Sequence, residues 1–352
     1  MWTYSGDYPA SSRSITRSGL CALPTRRPPR EPGRVTSFPD ADTLRAALAS
    51  AVRAPSVHNS QPWRWHVGAD RLDLFAVPRL HLRHIDPDGR DFLLSCGATL
   101  HHAVVALAAL GWQARVQRFP DPSDTNHLAV LTLSPQAPTS QELALAAAIP
   151  RRRTDRRRYS SREVSPADIA VMGARAARFG VSLRRVESLT ALRAAVDLAV
   201  REHLHDDAYL RELTAWTGRH GSVAGVPATN IPPADTAAAV PPRVFAGTAM
   251  AQPSGSADDA DNAAVLALGT RDDDAPSRLR AGEATSVVLL TATSIGLASC
   301  PVTEPLEIAA TRATLREEIF EAQAHPQMLL RIGWLPRDAV ALPATPRRPL
   351  PD

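Results

Sequence analysis

The sequence predicts an α+β fold in which one unit occurs twice, and two observations carry the prediction. Two long apolar helices of small residues, 91–111 and 278–296, are each entered from polar residues and each stop at a glycine. They lie about half the ordered chain apart, and short strand-like runs flank both, so the chain reads as two degenerate copies of one unit around a central helix pair.

In chain order, residues 1–34 are rich in Pro, Arg, Ser and Gly, have no apolar period and no signal-peptide apolar run, and are expected to be disordered. From Asp42, the spacing of Leu44, Ala47, Leu48, Ala51 and Val52 makes one apolar helical face. Strands follow at 63–67 and 72–77, then the first central helix, strands at 114–119 and 128–133, and a helix at 141–148. This first half spans 35–150. The second half, 151–352, opens on an arginine run. Ser165-Pro166-Ala167-Asp168 then starts a helix that ends at Gly180. A strand at 181–186, a long helix at 188–218, a strand at 264–270, the second central helix, a helix at 306–320 and a strand at 328–334 complete it. The Gly/Pro/Ala/Asp-rich stretch 218–263 is too long for an ordinary connection and reads as a lid or binding loop.

Composition narrows the chemistry. All 40 basic residues are arginine. A Walker-type phosphate loop, a Schiff-base lysine and a lysine nucleophile are therefore excluded, and any phosphate must be held by arginine forks, backbone N–H groups or helix ends. A net charge of +4 is too small to argue for nucleic acid. The three cysteines are far apart and lack CxxC spacing, which points to reduced thiols and a cytoplasmic setting. The apolar window 92–110 carries Ser95, His101 and His102 without flanking charge clusters, so a buried helix is expected and not a membrane span. The histidine pairs at 81/84, 101/102 and 203/205 have no third ligand at metal spacing, and no Gly-x-Ser-x-Gly elbow is present.

Between Pro55 and Pro62, Ser56, Asn59, Ser60 and Gln61 place hydroxyl and amide groups on a rigid turn. Such groups suit the carbonyl and nitrogen edges of a planar heterocycle, although Pro, Ser and Asn also make ordinary turns. The stretch Pro55-Ser56-Val57-His58-Asn59-Ser60-Gln61-Pro62-Trp63 resembles the Pro-Ser-x-x-Asn-x-Gln-Pro-Trp flavin-contacting segment of the nitroreductase family. Arg151-Arg152-Arg153-Thr154-Asp155-Arg156-Arg157-Arg158 carries six arginines in eight positions, which in isolation is a solvated basic segment. Its Arg-Arg-Thr-x-Arg core resembles the family's opening Arg-x-Ser-x-Lys/Arg segment. Pro301-Val302-Thr303-Glu304 stands where the family has Pro-x-Glu-Gly, and Thr345-Pro346-Arg347-Arg348-Pro349 resembles its C-terminal phosphate clamp. With Gly225-Val226-Pro227 and Leu279-Arg280-Ala281-Gly282, these segments are similar to the Acg-like branch, and the likeness covers roughly residues 40–350.

The resemblance implies a nitroreductase-like fold whose two-subunit core is here a pseudo-dimer within one chain. It implies an FMN site contacted by Pro55, Ser56, Val57, His58, Asn59, Gln61, Pro301, Val302 and Thr303. Arg152, Arg153, Thr154, Arg347 and Arg348 are placed at the phosphate and ribityl chain, and Arg156 at the isoalloxazine. The first motif lies only in the first half and the others only in the second, so one chain is expected to build one FMN site. NADPH or NADH is the implied reductant and a nitroaromatic or quinone the small-molecule acceptor. The alternative is a non-catalytic protein that sequesters FMN under the 218–263 lid. No nucleic-acid or membrane partner is implied, and the chain is expected as a monomeric pseudo-dimer or a loose homodimer.

Overall fold

The structure, a computed structural model, describes residues 38–233, 238, 240, 241, 243, 245, 249, 250 and 261–350. The extension 1–34 and part of the 218–263 stretch lie outside the described residues. Helix α1 (Ala41–Ala51) begins at Asp40, whose carboxylate accepts from the Thr43 N–H, and it buries Leu44, Ala47, Leu48 and Ala51 as their spacing predicts. Strands β1 (Trp63–Val67) and β2 (Arg71–Ala76), helix α2 (Arg90–Ala109), strands β3 (Trp112–Arg118) and β4 (His127–Pro135) and helix α3 (Ser140–Ala148) follow. The four strands form an antiparallel sheet in the order β1-β2-β4-β3.

The second half repeats this order. It contains α4 (Pro166–Ala177), β5 (Val181–Arg185), α5 (Leu189–Leu204), α6 (Asp207–Trp216), β6 (Ala264–Thr270) and α7 (Ala275–Ser294). Then come β7 (Ala298–Val302), α8 (Glu304–Glu307), α9 (Ala309–Phe320) and β8 (His325–Gly333). Its sheet runs β5-β6-β8-β7, again antiparallel, with the long helix between the second and third strands as in the first half.

The sequence-predicted helix 188–218 is two helices. Asp206 accepts from the N–H groups of Ala208 and Tyr209 and so starts α6 anew. The predicted helix 306–320 is likewise divided, at Ile308, whose backbone is extended (φ −98°, ψ 128°). Strand β7 is not among the strands predicted from the sequence. Pro301 lacks a donor, and β7 tolerates it because it is an edge strand.

The central helices cross at two glycines. A Cβ on Gly97 would lie 2.0 Å from the Leu279 carbonyl oxygen, and one on Gly282 would lie 2.1 Å from that of Leu94. Only glycine permits so close an approach of backbones. Both helices stop at a left-handed glycine, Gly111 (φ 88°) and Gly296 (φ 90°). Helix α2 is long and apolar enough to cross a membrane, but here most of it is buried against its neighbours, and α7 is the principal one. His101 and His102 both reach the Ser286 hydroxyl, at 2.7 and 2.8 Å. Burial pulls His101 down to about 3, so it is a neutral core histidine.

Candidate functional site

The turn after α1 is strained. His58 (φ 42°), Asn59 (φ 55°) and Gln61 (φ 52°) are all left-handed, a conformation that costs roughly 1–3 kcal/mol for an ordinary residue and persists where the surroundings impose it. Two contacts impose it from within and below. The Ser56 hydroxyl accepts from the Gln61 N–H, and the Ser95 hydroxyl, on α2, accepts from the Val57 N–H. Pro55, Ser56, Val57 and His58 thereby form one wall of a cavity of about 1080 Å³, its open mouth included.

The opposite wall comes from the second half. Thr154 pairs with Ser299, which lays the arginine run beside β7, and Thr154, Arg156, Pro301, Val302 and Thr303 line the same cavity. Thus the Pro-Ser motif and the Arg-Arg-Thr motif, which lie about 100 positions apart in sequence, face one space. The first turns of α2 supply Asp91, Leu94, Ser95 and Ala98 as its floor.

Asn59 and Gln61 are placed differently from the other motif residues. The Asn59 amide donates to the carbonyls of Gly225 and Pro346, each at 3.2 Å. The Gln61 amide donates to Asn59 and Val223 and accepts from the Arg348 N–H. Neither side chain lines the cavity; together they bind the 218–226 loop and the C-terminal tail to the turn.

Arg152, Arg153, Arg347 and Arg348 are not among the residues that line the cavity. Arg347 donates to the carbonyls of Val52, Arg53 and Ala54, capping the C-terminal end of α1 immediately before Pro55. Arg348 donates to the Ser60 carbonyl, and Arg153 to those of Pro150 and Leu342. Arg152 is buried, and its Nε and Nη1 have no hydrogen-bond partner among the described residues. Burial, and then the charges of Arg347, Arg153 and Arg53, bring Arg152 down to about 9. Burial and the charges of Arg53 and Arg153 bring Arg347 down to about 10. Arg152 thus clusters with Arg347, Arg153 and Arg53, and no carboxylate forms a salt bridge with any of the four among the described residues. Such a cluster matches a multiply charged anion.

Arg156 is half-buried, and desolvation lowers its pKa; it donates to the Asn230 carbonyl and lies 4.9 Å from the centre of the Phe245 ring. Phe245 and Arg243 reach the cavity from the long loop, and sequence reasoning did not find them. Arg243 donates to Glu307, to the Tyr209 hydroxyl at 3.0 Å and to Thr303 at 3.3 Å, and it contacts His58 Nε2 at 3.3 Å. Desolvation alone would lower Arg243, but Glu307, Tyr209 and Glu304 outweigh it and raise it. Asp91 was missed as well. Its Oδ2 has no partner among the described residues, and burial, with Asp86 and Glu307 nearby, holds its carboxyl far above the usual range. No single-sequence signal marks either residue, because each acquires its role from partners distant in the chain.

Among the described residues no group of three or more His, Cys, Asp or Glu is placed to hold a metal ion. Cys96 and Cys300 are buried free thiols, both with pKa values raised by desolvation.

The chain is similar along most of its length to proteins of Mycobacterium tuberculosis. It is 60% identical over 315 residues to Rv3131, provisionally named an NAD(P)H nitroreductase, covering 90% of this chain and 92% of the relative. It is 37% identical over 322 residues to acg, which carries the same provisional name, covering 88% of this chain and 94% of the relative. The chain belongs to the nitroreductase family, in its Acg-like branch. No family model matches it. A solved nitroreductase with bound FMN from Bacteroides fragilis is 14% identical and covers 56% of this chain and 90% of its own, with a TM-score of 0.36. That likeness is too slight to bear on the site.

Proposed function

We propose that the cavity binds one FMN and that the protein is an NAD(P)H-dependent flavoprotein. Arg152 carries this reading: a buried guanidinium with two unpartnered nitrogens, among three further arginines, is accounted for by a phosphate dianion. Arg347 and Arg152 would hold the phosphate, Thr154 the ribityl chain, and Pro55–His58 and Pro301–Thr303 the two faces of the ring. When bound, FMN would supply hydride-transfer chemistry between NAD(P)H and a small acceptor such as a nitroaromatic or quinone. The chain's own residues bind, orient and exclude water. Arg156, which lines the cavity, would set a cation beside the ring, where it would favour added negative charge. No side-chain acid or base is obligatory.

Riboflavin, which lacks the phosphate, isolates the arginine cluster. Two lost charge-assisted contacts at about 1.5–3 kcal/mol each predict binding at least about 100-fold weaker than FMN. Equal affinity for the two would overturn the phosphate assignment.

A second reading is a flavin-sequestering protein, and it rests on Arg243 and Phe245. Both come from the long loop and stand against the cavity, with Arg243 paired to buried Glu307. Anaerobic addition of NADH or NADPH separates the two readings: bleaching of the flavin absorbance supports the enzyme, and persistent colour supports sequestration.

A further inference from the structure

The floor of the cavity holds a carboxyl group that the cofactor reading leaves unused. Asp91, in the first turn of α2, is buried and lines the cavity, and its Oδ2 has no hydrogen-bond partner among the described residues. An ionised carboxylate in such a place needs a cation or a full set of donors, because an unpaired charge out of water is strongly unfavourable. The two cations that act on Asp91 are committed elsewhere. Arg90, beside it on α2, donates to Asp273, Gln327 and the Pro326 carbonyl, and Arg243 donates to Glu307 and Tyr209. Two further carboxyl groups, Asp86 just before α2 and Glu307 on α8, act on Asp91 as like charges. Burial first, and then these two neighbours, keep its proton on at neutral pH, which makes the carboxyl a hydrogen-bond donor.

The other unpartnered atoms of the lining are donors too. His58 Nε2 faces an Arg243 N–H at 3.3 Å, which assigns the ring proton to Nδ1. Burial, and then the charges of Arg243 and Arg156, push His58 well below its usual value, so the ring is neutral. Its Nδ1 has no partner among the described residues, and neither has Arg331 Nε. Three residues of one lining that hold donors without acceptors describe a ligand that brings acceptor atoms.

We propose that Asp91 is a specificity-determining residue whose carboxyl O–H donates to a carbonyl oxygen or ring nitrogen of the planar ligand in the cavity, a flavin ring on the reading above, on which this assignment rests.

Infrared difference spectra of the full chain, recorded on adding FMN, read the donation directly. The C=O stretch of a protonated carboxyl is expected to shift on binding, and the shifting band is expected to be missing from Asp91→Asn. Asp91→Asn keeps an N–H donor and should bind FMN within about twofold of wild type, whereas Asp91→Leu, similar in shape but without a donor, should bind it about 3–10-fold more weakly. A carboxyl band that does not move on binding overturns the proposal. So does Asp91→Leu binding as well as wild type, or Asp91→Asn binding as weakly as Asp91→Leu, the result expected of an ionised acceptor. If the wild-type chain takes up no FMN, the flavin reading fails by itself. The same band is then followed on adding duroquinone, a planar ring with two carbonyl acceptors: a shift that Asp91→Asn lacks supports the donor, and no shift overturns it.

Discussion

Replacing Arg152 with methionine should move stability and cofactor affinity in opposite directions. Arg152 is buried, and its pKa is lowered to about 9, chiefly through desolvation and then through Arg347, Arg153 and Arg53. The direction of that fall means that desolvation and like-charge repulsion together make the buried cation unfavourable in the ligand-free protein. Methionine keeps much of the apolar stem and removes the charge. Substitutions of poorly compensated buried charges by apolar residues stabilise by about 1–4 kcal/mol, so the ligand-free variant should melt several degrees higher. FMN should bind it about 10–100-fold more weakly, since one charge-assisted contact to phosphate contributes about 1.5–3 kcal/mol. The pH dependence has a definite sign. The folded-state value lies below the unfolded one, so the unfolded chain binds more protons as pH rises above about 9, and ligand-free wild-type stability rises there. The variant should lack this rise. Scanning calorimetry with and without FMN, paired with fluorescence titration, reads both effects. A ligand-free variant less stable than wild type, with FMN affinity intact, would refute the reasoning.

Three further outcomes follow from the fold and the loop. Gly97→Ala places a Cβ 2.0 Å from a carbonyl oxygen, so α2 and α7 must separate; a loss of about 3 kcal/mol or more is expected, read as a lower denaturant midpoint with unchanged m. Arg243→Ala leaves Glu304 and Glu307 buried without their cation and should cost about 3–5 kcal/mol at neutral pH. Burial alone would raise Glu304, but Arg243 and His203 outweigh it and hold it low, so the stability it contributes is lost as pH falls; the penalty for Arg243→Ala should therefore shrink in acid. Asp86, which accepts from the N–H groups of Arg90 and Phe92 at the start of α2, is raised by burial from 3.8 to about 7. Its contribution is present below 3.8 and lost as pH rises to about 7, so Asp86→Asn should flatten the fall of stability across that window in pH-dependent urea melts.

The legible parts of the fold were those in which local chemistry and tertiary role agree. The length and small-residue composition of α2 and α7 marked them as central because only such helices can cross with Gly97 and Gly282 in backbone contact. Thr154, Arg156 and Pro301–Thr303 were legible only through the resemblance to the family's segments, and they meet Pro55–His58 across one cavity. Asn59 and Gln61 were legible as special but not in their direction. Their left-handed backbones turn the amides toward Gly225, Val223 and Pro346, contacts that span most of the chain. The break between α5 and α6 was hidden because the apolar period continues across Asp206, whose capping contacts decide the matter locally. Arg243 and Asp91 were illegible for a different reason. A lone arginine in a Pro/Ala-rich loop and an aspartate in a first helical turn look like solvated residues until Glu307, His58 and the cavity surround them.

The flavin content of the purified protein tests the central claim most directly. Visible absorbance measured against chain concentration, after saturation with FMN and removal of excess, should give one FMN per chain and a colour that Arg152→Met retains poorly. A ratio near zero after saturation, or a ratio near two, would contradict an account in which two unlike halves complete a single cofactor cavity.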